Sequence, residues 1–185
     1  KLLGSVVVAV SDSGGGIYNP RGMDPYAIIE HKQQHGTVAG YPDADAISNG
    51  ELLELEVDIL IPAALEDVIH ADNAGKIKAR IQAELANGPT TLEADRILHD
   101  NGVHVIPDFL CNAGGVTVSY FEMVQNSDNY YWDLPTVYER LDHKMTGAYQ
   151  EVYDRALSLG VDMRLAAYCV AIERVAESVH LRGWV

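Results

Sequence analysis

Val103-His104-Val105-Ile106-Pro107-Asp108-Phe109-Leu110-Cys111-Asn112-Ala113-Gly114-Gly115-Val116-Thr117-Val118-Ser119-Tyr120-Phe121-Glu122 carries the decisive pattern of this chain. Val103 to Ile106 reads as a short strand closed by Pro107, which cannot donate to a ladder. An asparagine and two glycines then open a helical pattern. Glycines at such a turn let backbone approach a ligand closely, and a helix start presents unpaired N–H groups to an anion.

The same alternation extends upstream. Thr90-Thr91-Leu92-Glu93 resembles a capping box whose helix ends near Gly102. Arg80 to Leu85 is bounded like a strand, and Asp58-Ile59-Leu60-Ile61 reads as a buried strand ended by Pro62. Ser48-Asn49-Gly50-Glu51 is a capping box, and Asp24-Pro25 opens a helix that stops at Gly36. Ser5 to Ser11 is a β-branched run of the kind found in strands buried on both faces. Gly14-Gly15-Gly16 reads as a loop, and Lys1-Leu2-Leu3-Gly4 as the last turn of a helix. Strands alternating with helices at this spacing predict parallel pairing through right-handed crossovers, hence a Rossmann-like, doubly wound α/β fold.

Downstream the pattern is wholly helical. Val137, Leu141, Met145, Ala148, Val152, Ala156 and Leu159 recur at helical spacing from Pro135 to a stop at Gly160. Asp162 then caps a helix with Leu165, Tyr168, Ile172, Val175 and Val179 on one stripe, for which core packing is the expectation.

Composition excludes several classes. Of 185 residues, 27 are acidic and 13 are Lys or Arg, a formal net charge of -14 that speaks against nucleic-acid binding. No run approaches the roughly 18 apolar residues of a membrane span. The two cysteines, Cys111 and Cys169, make neither a zinc pattern nor a disulfide framework, so a reducing, cytoplasmic setting is expected. The seven histidines lack metal-ligand spacing, and no metal is expected.

Asp12 stands at the carboxyl end of a strand, where dinucleotide-binding folds place the acidic residue that binds the adenosine ribose. Taken alone, such an aspartate is more often a turn or cap residue. Ser119 lies one turn into the helix after the glycines and reads equally well as a hydroxyl donor or a surface serine.

Asn112 to Glu122 resembles the signature of the glutamate dehydrogenases, within the wider family acting on glutamate, leucine, phenylalanine and valine. Val10-Ser11-Asp12-Ser13 with the following Gly-Ile-Tyr-Asn-Pro, then Ile61-Pro62-Ala63-Ala64-Leu65-Glu66, then Ala86-Asn87-Gly88-Pro89-Thr90-Thr91, resemble the same family in the same order. The closing Arg182-Gly183-Trp184 extends the match across essentially the whole chain.

The resemblance implies NAD as cofactor, with NADP the alternative. Asp12 and Ser13 would bind the adenosine ribose, and Pro62, Ala63 and Ala64 would line the cofactor cleft. Asn87 and Asn112 would lie near the nicotinamide and its ribose. Val116 and Ser119 would face the substrate, Ser119 donating to the γ-carboxylate of glutamate or 2-oxoglutarate. Relatives acting on apolar amino acids are apolar where Ser119 stands.

Nothing here matches the family's catalytic lysine loop, its catalytic aspartate or its glycine-rich phosphate loop, so no catalytic residue is assigned and the chain alone is expected to be inactive. Residues 1–135 would be a truncated dinucleotide-binding domain. Residues 136–185 would be helices packing at the junction with an N-terminal substrate domain, and a homohexamer is implied. The other readings are a dehydrogenase of an apolar amino acid and a non-catalytic nucleotide-binding module. Leu85 replaces the family's usual glycine and would crowd the cofactor loop if its φ were positive.

Overall fold

Asp12 accepts a hydrogen bond from the amide of Gly14 at 2.9 Å, and this local tie folds the first strand back on itself. The computed structural model describes residues 4–183; the helix end expected at Lys1–Leu3 and the match at Trp184 lie outside the described residues. The chain forms two compact units, one built on residues up to Val57 with Lys76–Ala79, the other on Asp58–Gly75 and Arg80 onward.

In the first unit, β1 (Val7–Asp12) pairs antiparallel with β2 (Gly15–Met23), which pairs antiparallel with β3 (Asp45–Ile47). This corrects two expectations. The first strand belongs to an antiparallel hairpin and is only half-buried, and Gly15 and Gly16 begin a strand instead of lying in a loop. The glycines are the reason. A Cβ on Gly14 would stand 2.3 Å from the Thr37 hydroxyl, and Gly15 turns at φ +131°, which side chains rarely adopt. Helix α1 (Pro25–His35) is capped by the Asp24 carboxylate on the Tyr26 amide and ends at a left-handed Gly36. The short α2 (Asn49–Leu53) carries the expected Ser48–Glu51 capping box. Ile17, Ile28 and Val38 form the core, and full burial of a residue such as Ile17 contributes about 1.5–3 kcal/mol.

In the second unit, β4 (Ile59–Leu60), β5 (Ile81–Ala83) and β6 (His104–Ile106) form a parallel sheet in that order, as crossover connections predict. The sequence suggested a fully buried β4, but Ile59 and Ile61 are about half exposed and only Leu60 is inside, as suits the strand ending the order β4-β5-β6. Between the strands lie α3 (Ala71–Ala74) and α4 (Leu92–Asp100). The cap of α4 is Thr91 on the Ala94 amide, one residue later than the expected capping box. Thr90 is diverted: its hydroxyl accepts from Gln82 at 2.8 Å.

After β6 come α5 (Asp108–Cys111), α6 (Gly114–Asp128), α7 (Leu134–Leu159) and α8 (Met163–Leu181). The α7 stripe points inward through Val152 and Ala156 and leaves the core at Leu159. The Asp162 cap of α8 is present on the Leu165 amide. Its expected core stripe is a correction: Leu165, Tyr168, Ile172 and Val175 are exposed, while Met163, Ala166, Ala167 and Val170 pack against Leu110, Val152 and Ala156. Two alanines let α8 sit close to its neighbour, and the bulkier stripe is left outside. Arg155–Glu173 and Arg174–Glu151 ion pairs tie α7 to α8. No helix among the described residues is long and apolar enough to cross a membrane.

Candidate functional site

Beyond the ends of β4, β5 and β6, backbone and side chains bind the three following loops to one another. The amides of Leu85 and Ala86 both donate to the carbonyl of Pro62, at 3.0 and 2.9 Å, and the Glu84 amide donates to Ile106. Asn112 donates its side-chain amide to Asn87 Oδ1 at 2.7 Å, and the Asn112 backbone amide donates to Asp108. Ala63, Ala64 and Asn87 are exposed around this knot, while Pro62 is buried beneath it. The carboxyl edge of a parallel sheet is where open α/β folds bind ligands. Of the residues singled out from sequence, Pro62, Ala63, Ala64, Asn87 and Asn112 are therefore brought together. Leu85 is half exposed, and among described non-glycine residues only Asp67 and Asn129 have positive φ, so the expected crowding does not arise.

Helix α6 begins beside this knot, and Gly115, Val116 and Ser119 are all exposed. Val116 and Ser119, three residues apart, share a face. The Ser119 hydroxyl has no partner among the described residues, whereas Thr117 on another face donates to the Ala113 carbonyl at 2.8 Å. This face presents a free hydroxyl next to an apolar methyl pair.

Asp12 lies in the other unit and is densely bonded. One carboxylate oxygen accepts from Gly14 and from the Thr37 hydroxyl at 2.8 Å; the other accepts from the Val38 amide at 2.9 Å and pairs with Lys32 at 3.0 Å. Burial works against ionisation here, but Lys32, Gly14, Thr37 and Val38 outweigh it and hold the carboxyl well below the usual range. A carboxylate has about four acceptor positions, and all are in use. Lys32, half exposed, is thus the counter-ion of Asp12. Ser13 is exposed at the hairpin turn.

Sequence reasoning missed a cluster around Arg164, on the first turn of α8. Its guanidinium donates to both oxygens of Glu84 at 2.9 Å, to Asp95 at 3.0 and 3.2 Å, and to Asp108 at 3.2 Å. Burial opposes the charge, and Asp95 and Glu84 more than compensate, raising the Arg164 pKa. The available signal was Glu84 itself, a carboxylate following a strand between Ala83 and Leu85, which is wholly buried and requires a cation. Gln82 beside it donates to Glu84 and Thr90, while its own carbonyl oxygen lacks a protein partner. Cys111 is half-buried, its thiol pushed up by burial and then by Glu84. A concavity beside the start of β6 is lined by Asp95 and Arg164 of this cluster with His99, His104 and Tyr153 among others, and neither Asn87 nor Asn112 lines it. Burial lowers the pKa of His104 there; the candidate site is placed at the strand ends, where the motif residues meet. Among the described residues no group of three or more His, Cys, Asp or Glu is placed to hold a metal ion.

Comparison with known proteins gives the family. The sequence model of the Glutamate/Leucine/Phenylalanine/Valine dehydrogenase family matches residues 1–183. The glutamate dehydrogenase of Thermotoga maritima is 57% identical over 181 residues, 98% of this chain and 44% of that protein. The NAD-specific glutamate dehydrogenase of Staphylococcus aureus (strain COL) is 47% identical, over 98% of this chain and 44% of its own length. The hetero-hexameric glutamate dehydrogenase of Thermus thermophilus, solved in a leucine-bound form, superposes with a TM-score of 0.89 at 34% identity, covering 98% of this chain and 42% of that one. The chain thus spans under half the length of these relatives. Its four ordered motifs, its parallel sheet with loops knotted at the carboxyl edge, and a family match over 183 positions lead to one conclusion: the chain belongs to the glutamate, leucine, phenylalanine and valine dehydrogenase family.

Proposed function

We propose that these residues form the cofactor-binding part of a glutamate dehydrogenase, catalysing reversible oxidative deamination of L-glutamate to 2-oxoglutarate and ammonia with NAD, NADP being the alternative cofactor. The observation that carries this reading is the Asn87–Asn112 pair exposed beside Ala63 and Ala64 at the carboxyl edge of the parallel sheet. Small side chains there leave room for a flat ring, and the paired amides offer donors and acceptors to a carboxamide and a ribose. NAD, when bound, supplies the hydride acceptor.

The chain's own residues bind and orient. Asn87 and Asn112 hold the nicotinamide end, Asp12 and Ser13 the adenosine ribose, and Val116 and Ser119 the substrate side chain. Because the Asp12 carboxylate already accepts four hydrogen bonds, a ribose hydroxyl donating to it displaces one of them. Lys32, half exposed, is the most easily displaced. The groups that move protons in this family have no counterpart among these residues, so the chain alone is expected to be inactive. The exposed stripe Leu165, Tyr168, Ile172 and Val175 supports packing of residues 136–185 at a junction with an N-terminal substrate domain. A cytoplasmic homohexamer is the assembly that the resemblance implies; the Thermus thermophilus relative is described as hetero-hexameric.

Ser119→Ala in the full-length protein tests the substrate class. A lost charge-assisted hydrogen bond lowers kcat/KM for glutamate about 10- to 150-fold, with NAD affinity nearly unchanged. A wild-type enzyme preferring leucine or phenylalanine overturns the reading in favour of an apolar substrate, and an alanine variant with undiminished glutamate use removes Ser119 from the substrate site.

A further inference from the structure

Asp108 has three ties that connect the two asparagine-bearing loops to Arg164. Its backbone carbonyl accepts the Asn112 amide at 2.8 Å. One side-chain oxygen accepts the amide of Gly88, the residue after Asn87, at 2.9 Å. The other accepts from Arg164 at 3.2 Å. Arg164 also grips Glu84, whose second oxygen takes the Asp108 amide at 3.0 Å. Asp95, at the start of α4, closes the set. One guanidinium therefore joins the end of β5, α4, the turn after β6 and the start of α8. The Gly88 amide, next to Asn87, hangs from the Asp108 carboxylate, and the Asn112 amide hangs from the Asp108 backbone carbonyl.

We propose that Arg164, acting through Asp108, is a positioning residue for the nicotinamide end of the cofactor site. It touches neither asparagine; it sets the height and angle of the two loops that carry them. The inference rests on the proposed function for its kinetic meaning, but the placement of the loops is independent of it. The chemistry requires arginine. The Arg164 fork makes five hydrogen bonds to three carboxylates, whereas a lysine ammonium has three donors and would keep the charge while losing some of these bonds and the planar geometry. It requires aspartate too. Gly88 and Arg164 approach different oxygens of Asp108, so after Asp108→Asn one of these two donors would face the new amide nitrogen, a donor itself.

The experiment uses the full-length protein with Asp108→Asn and, separately, Arg164→Lys, so that one informative variant remains if the other fails to fold. Hydrogen exchange over residues 84–91 and 107–114 is measured alongside steady-state kinetics. Expected are exchange about 10-fold faster in both segments and a KM for NAD raised about 10-fold, with KM for glutamate within about 2-fold of wild type. A purely structural role would instead lower the amount of active enzyme and kcat, leaving both KM values alone. Unchanged exchange in these segments, or an unchanged KM for NAD in an active enzyme, overturns the proposal. If the wild-type protein does not oxidise glutamate with NAD, the proposed function fails, and exchange at 84–91 still decides whether Arg164 holds the loop.

Discussion

Replacing Asp12 with asparagine removes one charge and changes almost no volume, so its cost can be worked from the hydrogen bonds. The least costly orientation keeps the amide oxygen on the buried Val38 amide and Lys32. The amide nitrogen then faces Gly14 and Thr37. The Thr37 hydroxyl can rotate to accept, whereas the Gly14 amide loses its protein partner and turns to water, costing about 1 kcal/mol. The bond from Val38 changes from charge-assisted to neutral, a loss of about 1 kcal/mol. The half-exposed Lys32 pair adds no more than about 1 kcal/mol. The sum is about 2–3 kcal/mol, localised to the hairpin and the loop after α1. Because the folded pKa of Asp12 is depressed, its stabilisation is present above the unfolded value near 3.8 and is lost as pH falls through the folded one. The difference between wild type and Asp12→Asn should therefore be constant above about pH 5 and narrow below about pH 4. Hydrogen exchange at Gly14 and Val38 across that range is the assay, since it reports this unit without requiring two-state unfolding of the whole protein. A difference below about 0.5 kcal/mol, or one that widens in acid, would refute the assignment of Asp12 as the organising anion of this turn.

Two further substitutions have opposite logic. Lys32→Met leaves the Asp12 charge without its counter-ion, so the ratio of kcat/KM for NAD over NADP should rise about 2- to 5-fold; a fall in that ratio would mean that Lys32 does not offset Asp12 at the ribose. Leu85→Gly restores the residue usual in this family, yet Leu85 is not in a left-handed conformation, so the glycine should lower stability by about 0.5–1 kcal/mol in chemical denaturation, and a gain would show that Leu85 is strained.

Local chemistry was legible in the sequence wherever it closes within one turn. Asp24 with Pro25 and Gly36, Ser48 with Glu51, and Asp162 each satisfy backbone groups a few residues away, and each appears as expected. What depends on a distant partner was not legible. A β-branched run says that Val7–Asp12 is extended but not which strand it joins, and here the glycine turn forces the antiparallel choice. Thr90 and Thr91 are equally good caps in isolation; a bond from Gln82 takes the first hydroxyl and leaves the second to cap α4. The α8 stripe shows the limit of periodicity. Helical spacing of Leu165, Tyr168, Ile172 and Val175 announces one distinct face, but the close contact with α7 goes to the face with the smaller residues.

The candidate site divides along the same line. Asn87, Asn112, Val116 and Ser119 sit in contiguous motifs because each belongs to a loop or helix start that must be shaped locally. The device joining those loops spans 80 residues between Glu84 and Arg164, and 56 between Asp108 and Arg164, with no motif to mark it. Each member looks ordinary alone: an acid after a strand, an acid in a helix's first turn, an arginine just past a cap. Only folding makes them a single group, and burial then makes the group costly to disturb, because removing one partner strands the others without water. A site of this kind is therefore read in two steps. Motif residues say what could be bound, and the buried charges beneath them say how firmly the binding geometry is held. At the carboxyl edge of this sheet both point to the same place, where Asp108 supports the loops of Asn87 and Asn112 from below.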